Sequence, residues 1–390
     1  MRQDWQVRTI YLDYNATTPL DDAVKAAMMP FLGEVYGNPS SVHHVGQRAR
    51  AALDDARERV ASVLDCKPSE IVFTSGATES CNHAIVAGAL SRMDNGQHIV
   101  TSSIEHEASL HPCEYLAKKH GFEVSKVAPN EEGFVSSESI IDAIKPDTVL
   151  VSLMAANNEV GTIQPVAEIG EFCANNGILF HTDAVQVLGK LPFSGISQFG
   201  ADLVSVCAHK IHGPKGAGLL FVRSPLQLPP ILHGGAHEND RRPGTENLCA
   251  IIGLTEAIER FVRVPVFATP NMPDLYSRLL ESVISIDGVT FRGSRDNRLP
   301  NTVAFTVADS DSIALLSALD MEGICASSGS ACSSGSVTPS HVITAMGAPP
   351  EESNSLIRLS LGRESSPSDI DAISNILPHI IDRVRHVDKS

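Results

Sequence analysis

DTVLVSLMAANNEVGTIQPVAEIGEFCANNGILFHTDAV, residues 147–185, decides the fold. It opens on an apolar run, TVLVSL, that ends in polar residues. PVAEIGEFCANNG then spaces apolar residues at helical intervals and stops on Gly177. ILFHTDAV is a second apolar run. A strand, a helix and a strand this close together make a βαβ unit, in which the helix crosses one face of the sheet and the strands run parallel.

The same alternation extends in both directions. EIVFTSG (70–76) precedes the helical stretch ESCNHAIVAGALSRM, and QHIVTSSIEH (97–106) precedes a helix expected from about residue 108 to 120. ADLVSVCAHK (201–210) leads through a glycine-rich turn into AGLLFV (217–222). Apolar strands separated by helices of this length predict an α/β fold with a mostly parallel sheet covered on both faces. PVFATPNMP (265–273) breaks the pattern. A helix near 274–284, a strand near 302–307 and the strand-like IRLSLG (357–362) follow, and predict a smaller α+β domain with which the N-terminal segment would pack. The expected division is 15–262 for the large domain, and 1–14 with 263–390 for the small one.

Composition narrows the function. Of 390 residues, 43% are apolar and 19% charged, and the formal net charge is −16. So acidic a chain argues against nucleic acid or an anionic membrane surface as the main partner, because both demand clustered Lys and Arg. No apolar run is long enough to span a bilayer. MRQDWQVRTIYLDYNATTP lacks an apolar signal core, so a cytoplasmic location is expected. The eight cysteines (66, 81, 113, 173, 207, 249, 325 and 332) form no CxxC pair, so no resident metal site is expected. Transient ligation of a metal or cluster by Cys332 stays open. Most of the others are expected to be small buried hydrophobes, Cys325 among them. Cys332 differs: it lies in GICASSGSACSSGSVTPS (323–340), where Ser, Gly and Ala offer no core to enter.

Polar residues gather where the strands end: Glu105 and His106, Asn157 and Asn158, Asp183, then His209 and Lys210. In open α/β sheets ligands sit beyond the carboxyl ends of the strands. A lysine there is desolvated, which lowers its pKa and makes its amine a nucleophile toward carbonyls. Taken alone, AHKIHGPKGAG also fits a surface lysine at a strand-to-turn boundary. Lys210 and Asp183 together suggest pyridoxal phosphate, which takes a covalent lysine and a carboxylate that keeps its ring nitrogen protonated. SGATES (75–80), at the start of a helix, would offer backbone N–H groups and the Thr78 hydroxyl to the phosphate.

Ten segments stand in order: YLDYNATTP, GNPSSVH, EIVFTSGATES, TSSIEHEASL, ANNEVGT, HTDAVQ, AHKIHGPKG, RRPGTEN, SSGSACSSGS and IRLSLGR. From about residue 10 to 375 the chain resembles a cysteine desulfurase. Among these enzymes it is most similar to the group with the SSGSAC loop, of the nitrogen-fixation type. The resemblance implies a fold type I pyridoxal-phosphate enzyme of the class V aminotransferase superfamily, with a seven-stranded sheet in the large domain. It implies that Lys210 bonds the cofactor, that Asp183 pairs with its ring nitrogen, and that His106 stacks on the ring and moves protons. Asn158 and Gln186 would hydrogen-bond the ring and its phenolic oxygen, and Thr78, Ala77 and His209 would hold the phosphate. Thr245 would reach the phosphate of a second subunit in a homodimer. Arg358 would bind the carboxylate of L-cysteine, with help from Asn38.

Cys332, on a mobile loop of about residues 326–340, would take the substrate sulfur as a persulfide, leaving L-alanine. It would then deliver the sulfur to an acceptor or iron–sulfur scaffold protein. His106, or another base brought close on loop closure, would help deprotonate one of the two thiols. Two departures from the family pattern stand out. Cys207 replaces a serine that many desulfurases turn toward the phosphate, and a thiol is the weaker donor. Ala236 and Asp240, in GGAHEND, stand where glycine is usual. The cofactor motifs alone also fit an aminotransferase or a selenocysteine lyase, and the Cys332 loop argues against both. A catalytically silent docking platform for sulfur-acceptor proteins would have lost Lys210, Asp183 or Cys332.

Overall fold

The computed structural model describes residues 9–329 and 339–387. Its centre is a sheet of seven strands: β2 (Ile71–Thr74), β3 (His98–Ser102), β4 (Glu123–Val127), β5 (Thr148–Ser152), β6 (Leu179–Asp183), β7 (Leu203–Cys207) and β8 (Gly218–Val222). Their spatial order is β2-β8-β7-β6-β5-β3-β4. All neighbours run parallel except at β8, which is antiparallel to both β2 and β7. Six of the seven strands are buried along their whole length. The exception, β4, lies at the sheet edge with its residues exposed or half-buried, which is why EVSKV shows no apolar run.

Two separate apolar clusters line the two faces of this sheet. That is the layering of helix–sheet–helix folds, and it explains why these strands read as unbroken Val, Ile and Leu. The helical stretch after β2 contains one π turn, His83–Ala87, between Ala77–Asn82 and Gly88–Leu90.

The C-terminal part forms a second, antiparallel sheet of β9 (Val289–Arg292), β10 (Thr302–Val307) and β12 (Ile357–Ser360), in the order β12-β10-β9. The N-terminal strand β1 (Ile10–Tyr11) pairs in parallel with β11 (Ile324–Cys325). A bridge from Asp13 to Ser360 carries the same segment onto β12. Residues 12–18 therefore pass between the two sheets, which brings Asn15 to the cavity described next.

Candidate active site

The carboxyl ends of β2, β6 and β7, the helix start at His106, and residues 15–17 surround a cavity of about 470 Å³. Most of the residues singled out in the sequence line it: Ala77 and Thr78 on one wall, His106 and Asn158 on another. Asp183, Gln186, Cys207, His209, Lys210 and Arg358 complete it. Thr245 and Asn38 do not line this cavity, and both are exposed. Asn38 Oδ1 instead accepts from Ser40 N at 2.8 Å. Cys332 lies outside the described residues. Cys325 ends β11 half-buried rather than in the core, because so short a strand, paired on one side only, leaves its last residue at the surface.

Lys210 follows β7. Its Nζ donates to two main-chain carbonyls, Asn15 O at 2.6 Å and Ala16 O at 2.7 Å, and meets no carboxylate among the described residues. Burial holds its amine below the ordinary lysine range, with Cys207 pulling the other way. Asp183, the last residue of β6, is buried and forms no ion pair among the described residues. Its carboxylate accepts from Val185 N at 3.0 Å and from the Cys81 thiol at 3.7 Å. Burial raises its pKa, and the Val185 N–H, His106 and Lys210 oppose that rise. Behind it, His181 spans β5 and β7 between the hydroxyls of Ser152 (2.8 Å) and Ser205 (2.9 Å), and burial takes its pKa down to about 3.

His106 caps the helix Glu107–His120: its Nδ1 accepts from Ala108 N at 3.1 Å. A nitrogen that accepts carries no proton, so the neutral ring has its N–H on Nε2. Toward the cavity His106 is thus a proton donor at rest. To take a proton from a thiol there, it would first have to give up the cap. Arg358, 1% exposed, comes from β12. It pairs with Asp13 at 2.6 Å and donates to Asn158 O (2.9 Å) and Gly329 O (3.3 Å). Its Nε is buried with no partner among the described residues.

The turn into the helix Ala77–Asn82 is shaped by glycine. Gly76 has φ 156° and ψ 177°, a conformation side chains exclude, and no side chain caps the helix that follows. Gly218 of β8 lies against this turn, and a Cβ there would fall 2.5 Å from Gly76 Cα. Thr74 Oγ1 braces the loop from below through Gly76 O (3.2 Å) and Ser80 Oγ (2.8 Å). His209 stands beside it with Nδ1 3.2 Å from Thr17 Oγ1, and burial among lysines lowers its pKa to about 4, so its ring is neutral. The Cys207 thiol is pushed up to about 11 by burial, which makes it a neutral neighbour for a phosphate.

These features fit pyridoxal phosphate. An uncapped helix start beside glycine suits the phosphate, a buried carboxylate without a cation suits a protonated ring nitrogen, and a desolvated lysine suits the aldehyde carbon. Sequence reading missed Asn15, Lys190 and Asp13, and it named Glu105 among the polar strand ends without giving it a role. Glu105 is buried next to His106, accepting from Ser102 Oγ (2.6 Å) and Met154 N (2.9 Å), and burial raises its pKa to about 8. Its signal was present as an acidic residue inside an otherwise apolar strand end.

Fold and cavity together define a pyridoxal-phosphate enzyme of fold type I. The Aminotransferase class-V family matches residues 10–373. The "Cysteine desulfurase IscS" of Dictyoglomus turgidum is 43% identical over 383 residues, covering 97% of this chain and 96% of its own. A solved "NifS-like protein" superposes with a TM-score of 0.86 at 36% identity, covering 98% of this chain and 99% of that one. A structure titled "SspA in complex with cysteine" gives a TM-score of 0.80 at 36% identity, over 92% of this chain and 100% of that one. The chain belongs to the class-V aminotransferase family, in its cysteine desulfurase branch. Its cofactor is pyridoxal 5'-phosphate. No helix among the described residues is long and apolar enough to cross a membrane.

Proposed function

We propose that the protein converts L-cysteine to L-alanine and places the released sulfur on Cys332 as a persulfide, for transfer to an acceptor or scaffold protein in iron–sulfur cluster assembly or related sulfur traffic. One observation supports Cys332 above the rest. Gly329 lines the cavity and is bonded to Arg358. Gly329 precedes Cys332 by three positions in the sequence. The cytoplasm, with its reducing thiol pool, is the proposed location.

Arg358 takes the substrate carboxylate and so orients the amino group and Cα. The bound cofactor supplies an electron sink for the pair left when the Cα–H bond breaks. Lys210, whose amine burial holds below the ordinary lysine range, removes that proton. Asp183 holds the ring nitrogen in its protonated form. Asn158 and Gln186 bind the ring, while Ala77, Thr78, His209 and Cys207 face the phosphate. The Cys332 thiolate attacks the substrate sulfur: its S–S bond forms as the carbon–sulfur bond breaks, and the carbon left behind takes a proton, which His106 would relay. Overall, cysteine and one enzyme thiol become alanine and one persulfide.

The large domain, 15–262, would carry the cofactor. The small one, 1–14 with 263–390, would carry Arg358 and the cysteine segment. Thr245 is proposed to reach the phosphate of a second subunit in a homodimer, and Asn38 to assist at the substrate carboxylate. Both are exposed, and Asn38 lies in a stretch with four exposed apolar residues, Met29, Leu32, Tyr36 and Val42. The test is incubation of the holoenzyme with L-cysteine and a reducing thiol that releases the persulfide sulfur as sulfide, measuring sulfide and alanine together, with mass spectrometry of the peptide bearing Cys332 from a parallel sample without that thiol. Equal yields of alanine and sulfide, with one added sulfur on Cys332, are expected. Cys332→Ala should keep the visible cofactor band and lose turnover, and alanine formed by that variant at the wild-type rate would refute the assignment.

A further inference from the structure

One buried lysine has no part in this scheme. Lys190 is 2% exposed and pairs with no carboxylate among the described residues. It closes a helical turn after β6, in which Leu188 N donates to Ala184 O and Lys190 N to Val187 O, each at 3.0 Å. Gln186 and Lys190, four residues apart, therefore share one side of the turn. Lys190 Nζ donates to Asn15 Oδ1 at 2.9 Å and to Gln186 Oε1. A neutral amine has two N–H groups, and here it meets two acceptors. Burial, with Lys210 and Arg358 nearby, holds this amine well below the lysine range.

Asn15 closes the circuit. Its main-chain oxygen accepts from Lys210 Nζ at 2.6 Å and from Gln186 Nε2 at 3.1 Å. Its side-chain nitrogen donates to Thr302 Oγ1 at 2.8 Å, and its side-chain oxygen also accepts from Asn301 Nδ2 at 3.1 Å. Two lysines thus hold the two oxygens of one asparagine, one facing the cavity and one behind it. The Gln186 carboxamide is oriented from both ends: its oxygen is held by Lys190, so its N–H2 group is the end left for the cavity.

We propose that Lys190 is a positioning residue of the cofactor site, which locks the Gln186 carboxamide as a donor toward the phenolic oxygen of the ring. This rests on the assignment of Gln186 given above. A lysine that only filled the core would be replaced by methionine without consequence, since Met matches its length and packs well when buried. Loss of a positioning lysine would leave the carboxamide free to turn. The phenolic oxygen would lose a donor and hold its neighbouring proton to higher pH.

The test is Lys190→Met and Lys190→Gln, reconstituted with pyridoxal phosphate beside wild type. Three quantities are read: the pH titration of the visible cofactor band, the cofactor dissociation constant, and the melting temperature. For K190M the band's apparent pKa should rise by about one pH unit, with cofactor dissociation about tenfold weaker, the size of one hydrogen bond. K190Q keeps an N–H2 on a shorter arm and should fall between. In the Gln186→Ala background the Met substitution should move neither quantity. A folded variant that titrates like wild type, or shifts that add in full to those of Gln186→Ala, would overturn the proposal while leaving the proposed reaction intact. If K190M fails to fold, K190Q decides alone on the same two readouts. Wild-type protein that takes up no cofactor would remove both readings.

Discussion

Replacing Arg358 tests substrate recognition and exposes a second residue, Asp13. The guanidinium is 1% exposed, salt-bridged to Asp13 at 2.6 Å and bonded to Asn158 O and Gly329 O. Arg358→Leu removes the group proposed to hold the carboxylate of cysteine. A charge-assisted, two-point pair is worth about 3 kcal/mol, which is about a hundredfold in kcat/KM. The same change strands the Asp13 carboxylate, whose side chain is only 17% exposed. Removing one partner of a buried pair costs about 3–5 kcal/mol, and the residual exposure of Asp13 places this case at the low end. The stability loss should therefore be largely recovered in Asp13→Asn/Arg358→Leu, while the loss of kcat/KM persists. Alanine formation over a range of L-cysteine concentrations gives the kinetics, and urea unfolding gives the stability. Cysteamine, which has an amine and a thiol but no carboxylate, is the control: its perturbation of the cofactor spectrum should saturate at similar concentrations in wild type and variant. An Arg358→Leu enzyme with an unchanged KM for cysteine would refute the reasoning, as would equal weakening of both ligands.

Other outcomes follow from the same geometry. Lys210→Ala should bind the cofactor without a covalent link, so that borohydride no longer fixes it to the protein, and turnover should vanish; a borohydride-fixed adduct in this variant would move the covalent site elsewhere. Glu105 has a folded pKa of about 8 against an ordinary 4.5. The folded state then binds a proton that the unfolded state releases between these values, so this contribution to stability is present below pH 4.5 and lost as pH rises through 8. Glu105→Gln keeps the acceptor for Ser102 and Met154 and removes the titration. Its stability relative to wild type, from urea unfolding, should rise by a few kcal/mol between pH 5 and pH 8.5; a flat difference would refute the buried proton. His181 acts in the opposite direction. Held down to about 3, it costs stability as pH falls from 6.5, so His181→Gln should unfold less readily than wild type near pH 4 if its amide satisfies both serines.

What could be read from the sequence was what packs locally. The buried strands announced themselves because a parallel sheet covered on both faces permits few polar residues, and the polar residues at their ends were therefore conspicuous. Strand β4 left no such trace because its residues are all exposed or half-buried. The reversed direction of β8 was not legible either, since an antiparallel strand buried in the same sheet shows the same run of apolar residues. Lys190 was hidden for a different reason. Nothing in AVQVLGK marks its lysine as buried, and the partner that holds it, Asn15, lies 175 positions away in the chain. Long-range closure of this kind has no local signature. Asp13 was missed on the same ground: its partner, Arg358, is 345 positions distant.

Arg358 also explains why substrate binding and the cysteine segment are joined. One guanidinium spans three parts of the chain: Asp13 near the N-terminus, Asn158 after β5, and Gly329, three residues before Cys332. A carboxylate arriving from the cavity competes with these acceptors for a fixed set of N–H groups. The weakest is Gly329 O, at 3.3 Å, against 2.6 Å for Asp13. Substrate binding should then loosen the bond at Gly329 first. Hydrogen exchange at the amides of residues 327–329, among them Ser327 N bonded to Arg358 O, reports whether this stretch loosens with it. Faster exchange with a non-reactive carboxylate ligand such as L-alanine, absent in Arg358→Leu, is the expected result, and identical exchange with and without ligand would break the link.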